Sequence, residues 1–166
     1  MTSITMQGKP LKTNSALPAV GHPAPNFTVT KTDLTEAGSK DFIGKRVILS
    51  MFPSVDTGTC AIAMKRFNEL ANKLKNTTVL CISADLPFAQ KRFCAAENLQ
   101  NVIPVSVFRH PEFGIKFGVT ISEGPLQGLL SRAIVIVDET GKVMYTQQVK
   151  ELSEEPDYDA ALSALK

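Results

Sequence analysis

The chain has 166 residues, of which 43% are hydrophobic and 20% charged, and its net charge is +2. A globular chain of this size can bury roughly 70% of its extended surface, so the composition excludes a disordered segment. The small net charge, the lack of any basic block and the absence of Trp argue against nucleic acid as a partner.

Taken in order, Ile4 to Thr13 reads as two short strands around Gly8-Lys9, a hairpin closed by a two-residue II′ turn and set beside the core rather than within it. Pro10 confines its strand to an edge. Leu17 to Pro25 is an extended loop with three prolines. Phe27 to Thr32 alternates as a strand, and Ser39 to Gly44 makes one helical turn. Arg46 to Phe52 is a nearly continuous apolar run, as in a strand buried on both faces. From Cys60 onward the spacing of Ala63, Phe67, Leu70, Ala71 and Leu74 predicts a helix with one apolar face. Thr78 to Ser83 is a second buried strand. Pro87 opens a second helix through Asn98. Val102 to Phe108 is a strand that Pro104 places near an edge or bulge. Pro111 to Gly118 is a short helix and Glu123 to Leu130 a loop. Arg132 to Asp138 is a third buried strand, which forms a hairpin with Lys142 to Val149, and Pro156 to Lys166 closes as a helix. This alternation predicts an α/β domain with a mixed central sheet and helices on both faces. No second-domain boundary is visible, so one domain over 1–166 is expected, with 1–14 as the N-terminal hairpin.

The chemistry centres on Leu49 to Cys60. There an apolar strand stops at Pro53, and a polar loop hands over to a helix that starts near a cysteine. Free cysteines are often small buried hydrophobes. A helix start, however, exposes backbone N–H groups and the positive end of the helix dipole, both of which favour a thiolate, the reactive form of cysteine. The junction also falls at the carboxyl edge of the sheet, where α/β sites gather. Thr57, three residues before Cys60, either caps the helix or turns its hydroxyl toward an oxygen approaching the sulfur. Pro53 ends the strand, rigidifies the loop and can shield the sulfur. Arg132 begins a strongly apolar strand, so its guanidinium emerges near the core and needs an anionic partner, for which a thiolate would serve. Arg46, Arg66, Arg92 and Arg109 compete for that place. Cys94, beside Lys91 and Arg92, is either an inert helix cysteine or a partner thiol for Cys60, and Cys81 reads as core. There is no CxxC, and neither His22 nor His110 lies at ligand spacing from a cysteine, so a zinc site is not expected.

Pro53 to Cys60, PSVDTGTC, resembles the peroxiredoxin signature of a proline, three residues, a threonine, two residues and a cysteine. Gly21 to Phe27 resembles the loop leading into that family's first core strand. Leu80 to Leu99, together with RAIVIVDETGKV and EPDYDAALSALK, is similar to the bacterial thiol peroxidase subgroup, of the atypical two-cysteine kind. The resemblance implies a thioredoxin-like (peroxiredoxin) fold, an antioxidant peroxidase and a homodimer. It makes Cys60 the peroxidatic cysteine and Cys94 the resolving one, with Thr57, Arg132 and Pro53 completing the site. Hydrogen peroxide and organic hydroperoxides would be the substrates. Cys60 and Cys94 would form an intramolecular disulfide, which thioredoxin would reduce. No metal, haem, flavin or other cofactor is implied.

Two cysteines on separate helices seldom meet the roughly 7 Å Cα separation that a disulfide requires. The first turn of the Cys60 helix and part of the Cys94 helix are therefore expected to unwind during turnover. A thiol-disulfide exchange protein or a redox sensor using the same pair is the alternative, although the missing CxxC disfavours the former. No apolar run reaches the roughly 18 residues of a membrane span. Met1 to Ser15 lacks the apolar core of a secretory signal, so a cytoplasmic location without membrane partners is the expectation.

Overall fold

The structure is a computed structural model and describes residues 1–166. In chain order its elements are β1 (Ser3–Met6), β2 (Lys9–Lys12), β3 (Thr28–Lys31), β4 (Glu36–Gly38), a 3₁₀ turn (Ser39–Phe42), β5 (Arg46–Met51), α1 (Gly58–Ala71), β6 (Thr77–Ser83), α2 (Pro87–Ala96), β7 (Ile103–Ser106), α3 (Glu112–Phe117), β8 (Ala133–Val137), β9 (Val143–Gln148) and α4 (Tyr158–Ala164). Seven strands form one sheet in the order β4-β3-β7-β6-β5-β8-β9, while β1 and β2 stand apart as a hairpin. The pairs β5–β6 and β6–β7 are parallel and every other pair in the large sheet is antiparallel, so the sheet is mixed.

The apolar runs of β5, β6 and β8 lie in the middle of the sheet, and their side chains alternate between two cores. Val47, Leu49, Met51, Leu80, Ile82, Val135 and Val137 pack on one face with Phe27 and the α3 residues Phe113 and Phe117. The rings of Phe113 and Phe117 stack at 4.5 Å, with Phe27 edge-on to Phe113 at 5.6 Å. Ile48, Val79, Cys81, Ile134 and Ile136 face the other way, toward Cys60, Met64 and Phe67 of α1, Cys94 of α2 and Ala161 of α4. Phe67 is fully buried and meets Tyr158 edge-on at 5.2 Å, a contact that anchors α1 to the α4 end of the chain. Truncating such a ring to alanine costs about 3–5 kcal/mol. α3 ends at Gly118, which has φ +72° and sits so close to the Ala16 carbonyl that a Cβ would approach its oxygen to 2.0 Å.

The structure differs from the sequence expectation at several joints. Met6 pairs with Lys9, so the hairpin turn is Gln7-Gly8. Both residues have positive φ (51° and 77°), the pattern of a I′ turn rather than II′. The hairpin also has its own small core, Ile4, Leu11, Ile121 and Leu152. β7 is an interior strand, flanked by β6 and β3, and not an edge. It tolerates Pro104 because β3 pairs only with Val105 and Ser106, leaving the proline with a neighbour on one side. β4 has no counterpart in the sequence reading. α1 starts at Gly58, which makes Cys60 its third residue.

Candidate active site

Cys60 lies in the first turn of α1, just beyond the carboxyl end of β5, and has no exposed surface. Its thiol is free, as are those of Cys81 and Cys94. Arg132, immediately before β8, is 3% exposed and brings Nη1 to 3.3 Å from the Cys60 sulfur. Two more of its donors share one acceptor. Nε and Nη2 both donate to the Leu152 carbonyl, at 3.0 and 2.9 Å. A guanidinium has a fixed planar fork, so this two-point attachment leaves Nη1 aimed at the sulfur.

The other four arginines are paired with carboxylates: Arg46 with Glu139, Arg66 with Glu69, Arg92 with Asp56 and Arg109 with Glu36. Arg132 has no carboxylate partner. A buried cation without one favours an anion nearby, and the Cys60 sulfur is the group it reaches. A donor so placed can also reach negative charge that develops on an oxygen leaving from beside that sulfur.

Thr57 occupies the residue before α1, yet its hydroxyl does not cap the helix. It donates to the Ser54 carbonyl at 3.1 Å and the residue is exposed, so the capping role considered from sequence is not taken up. Pro53 is buried, directly after Phe52, whose N–H still pairs with the Ile82 carbonyl at 3.1 Å. The proline thus ends the ladder where the loop begins.

Cys94 is 9% exposed in α2 and belongs to the same core as Cys60 and Cys81. Burial pushes its thiol up to about 11. Cys81 is raised further, first by burial and then by the neighbouring Cys94. Both are thiols at neutral pH while the core is closed. Cys94 also borders a surface depression of about 370 Å³ with Lys91, Asn98 and Pro104.

Two groups were not anticipated from the sequence. One is Asp85, two residues beyond the end of β6. Its Oδ1 accepts from the Ser54 hydroxyl at 2.7 Å, and its Oδ2 accepts from the Val55 N–H at 2.9 Å and the Ser83 hydroxyl at 2.6 Å. Ser83 in turn accepts from Gln90 Nε2 of α2 at 3.1 Å. One carboxylate therefore ties the loop before Cys60 to the helix that carries Cys94. A polar Ser-Ala-Asp at the carboxyl end of a buried strand was the available signal. The other is the Leu152 carbonyl, a backbone group that leaves no trace in side-chain identity.

Comparison with known proteins identifies the family. The Redoxin family matches residues 19–162. The chain is 53% identical over 165 residues to a thiol peroxidase of Corynebacterium glutamicum, covering 99% of both chains. It is equally similar, at 53% and 99% of both, to a thiol peroxidase of Mycobacterium tuberculosis. A peroxiredoxin-like protein from Aquifex aeolicus superposes with a TM-score of 0.92 at 38% identity, over 99% of this chain and 96% of that one. A thiol peroxidase from Chromobacterium violaceum superposes at 0.91 with 22% identity, over 98% and 94%, and shows the fold alone. With its thioredoxin-like peroxiredoxin fold and full-length likeness, the chain belongs to the redoxin family, in the thiol peroxidase subgroup of the peroxiredoxins.

Proposed function

We propose that the chain, acting over residues 1–166 as one catalytic domain, reduces hydrogen peroxide and organic hydroperoxides through Cys60, with Cys94 as the resolving thiol. The observation that carries this reading is Arg132 Nη1 at 3.3 Å from the Cys60 sulfur, on a buried guanidinium without a carboxylate. In the first step the Cys60 thiolate attacks one oxygen of ROOH in line with the O–O bond. A sulfur–oxygen bond forms, the O–O bond breaks, and alkoxide or hydroxide leaves and is protonated. Sulfur is oxidised to sulfenic acid and the peroxide is reduced to an alcohol or water. Arg132, the Thr57 hydroxyl once it turns from Ser54, and N–H groups of the first turn of α1 are donors for the departing charge. Pro53 closes the loop against water. Phe52, Val55 and Met64, packed in the core with Cys60, make apolar surroundings that suit an organic peroxide.

In the second step the Cys94 thiolate attacks the Cys60 sulfenic sulfur, forming a disulfide and releasing hydroxide, which becomes water. Cys60 sits in the first turn of α1 and Cys94 within α2, so both segments unwind to let the sulfurs meet. Thioredoxin then reduces the bond by thiol–disulfide exchange. The working form is a cytoplasmic homodimer. No helix is long and apolar enough to cross a membrane.

Peroxide-dependent NADPH oxidation with thioredoxin and thioredoxin reductase tests the cycle. Wild type turns over, Cys60→Ser is inactive, and Cys94→Ser stops after one equivalent. Normal turnover by Cys60→Ser overturns the reading, and a single burst by wild type favours a sensor.

A further inference from the structure

The N-terminal hairpin lies outside the main sheet, and nothing in the cycle above calls for it. Its contacts nevertheless lead to Arg132. The chain beyond β9, at Lys150 to Leu152, runs beside β1: Thr5 N–H donates to the Lys150 carbonyl at 2.7 Å, and Leu152 N–H donates to the Thr5 carbonyl at 2.8 Å. Leu152 is thus held at both ends of its backbone. Its N–H is bound by the hairpin, and its carbonyl receives Nε and Nη2 of Arg132. Its side chain is 4% exposed and packs on Ile4 and Leu11 of the hairpin and on Ile121.

Glu151 fastens the same joint from outside. Its carboxylate accepts from the Thr5 hydroxyl, from Gln7 N–H at 2.8 Å, from Gly8 N–H at 3.2 Å and from the Ser153 hydroxyl at 2.9 Å. These bonds, the Thr5 hydroxyl first, hold the carboxyl down at about 2. The next carbonyl along, that of Ser153, accepts the Thr59 hydroxyl at 3.0 Å, so the first turn of α1 is moored to the same segment.

We propose that the N-terminal hairpin is a positioning element of the Cys60 site, fixing the Leu152 carbonyl so that it aims the Arg132 guanidinium at the sulfur. This rests on the peroxidase reading, because it acts on the oxidation of Cys60. It assigns Ile4, Thr5 and Glu151 to the support of Arg132, and it leaves the resolving step untouched, since Cys94 has no part in the chain of contacts.

A double-mutant cycle read by stopped-flow oxidation of Cys60 tests it. Glu151→Gln replaces one carboxylate oxygen by an NH₂ group that cannot accept, so one of the two turn N–H groups loses its acceptor, and Ile4→Ala removes a buried packing partner of Leu152. Each is expected to slow Cys60 oxidation by about tenfold or more, as a misplacement near 1 Å does. Disulfide formation, followed separately, keeps its wild-type rate. In an Arg132→Gln background the same two changes are expected to add no further loss, because they act through Arg132. Circular dichroism checks that each variant is folded, and Glu151→Gln, on the surface, keeps the test open if Ile4→Ala is not. The proposal is overturned if Glu151→Gln in the wild-type background oxidises at the normal rate, or if its loss multiplies with that of Arg132→Gln. Failure of wild type itself to oxidise Cys60 is a distinct result and removes the peroxidase reading instead.

Discussion

The Arg132 guanidinium spends two of its donors on one backbone oxygen, that of Leu152, and so presents a third to the Cys60 sulfur at 3.3 Å. That attachment depends on the planar fork as well as on the charge. Arg132→Lys keeps the cation but has no planar fork to grip Leu152. Arg132→Lys and Arg132→Gln are both predicted to slow Cys60 oxidation by about 10²–10³-fold, the usual loss when one donor to developing charge is removed. Stopped-flow rates with hydrogen peroxide check this. A lysine variant at the wild-type rate would show that charge alone suffices.

Thr57 is predicted to act through its hydroxyl rather than as a cap. In the closed structure that hydroxyl donates to Ser54 and makes no helix-capping bond. Thr57→Ser retains it and is expected to oxidise within a few-fold of wild type, whereas Thr57→Val loses about tenfold or more. Thermal stability of both should stay close to wild type, as the side chain is exposed.

Asp85 holds the loop ahead of Cys60 by two hydrogen bonds and accepts a third from Ser83 at the end of β6. Asp85→Ala strands the Val55 N–H and two serine hydroxyls, and a loss of about 1–3 kcal/mol in urea unfolding is expected. Faster amide hydrogen exchange over Ser54 to Cys60 should accompany it, because those N–H groups lose their anchor.

Burial raises the Cys94 thiol from an ordinary 9.0 to about 11. The folded state holds a proton that the unfolded chain releases, so this contribution to stability is intact below pH 9.0 and is lost as pH rises toward 11. Wild type should therefore lose about 1–2 kcal/mol more than Cys94→Ala between pH ~8 and pH ~10.5. Urea midpoints of the two proteins at both pH values measure the difference. Cys81 is present in both and does not account for it.

Much of the architecture could be read from residue patterns because burial is written in them. The runs in β5, β6 and β8 are apolar on both faces, and helix spacing in α1 is regular, so the alternation of strand and helix is plain. β4 is three residues long and is held by pairing with β3 alone, too short for any pattern to mark it. The hairpin turn moved by one residue because Gln7 accepts a left-handed conformation that its side chain does not announce. For the site, the junction at Cys60 was visible as a cysteine after a polar loop. The choice among five arginines was not, since it depends on which ones find carboxylates across the fold. The Leu152 carbonyl was beyond reach for a simpler reason: every residue but proline has the same backbone, and only the tertiary path brings this one to Arg132.

The central claim is that Cys60 takes an oxygen atom from peroxide and Cys94 then expels it as water. Intact-mass and peptide mapping after one equivalent of peroxide tests it most directly. Wild type is predicted to lose two hydrogens and show a Cys60–Cys94 linked peptide, while Cys94→Ser gains one oxygen at Cys60 that dimedone traps. A wild-type disulfide that joins other cysteines, or Cys60→Ser consuming peroxide at the wild-type rate, would contradict the account.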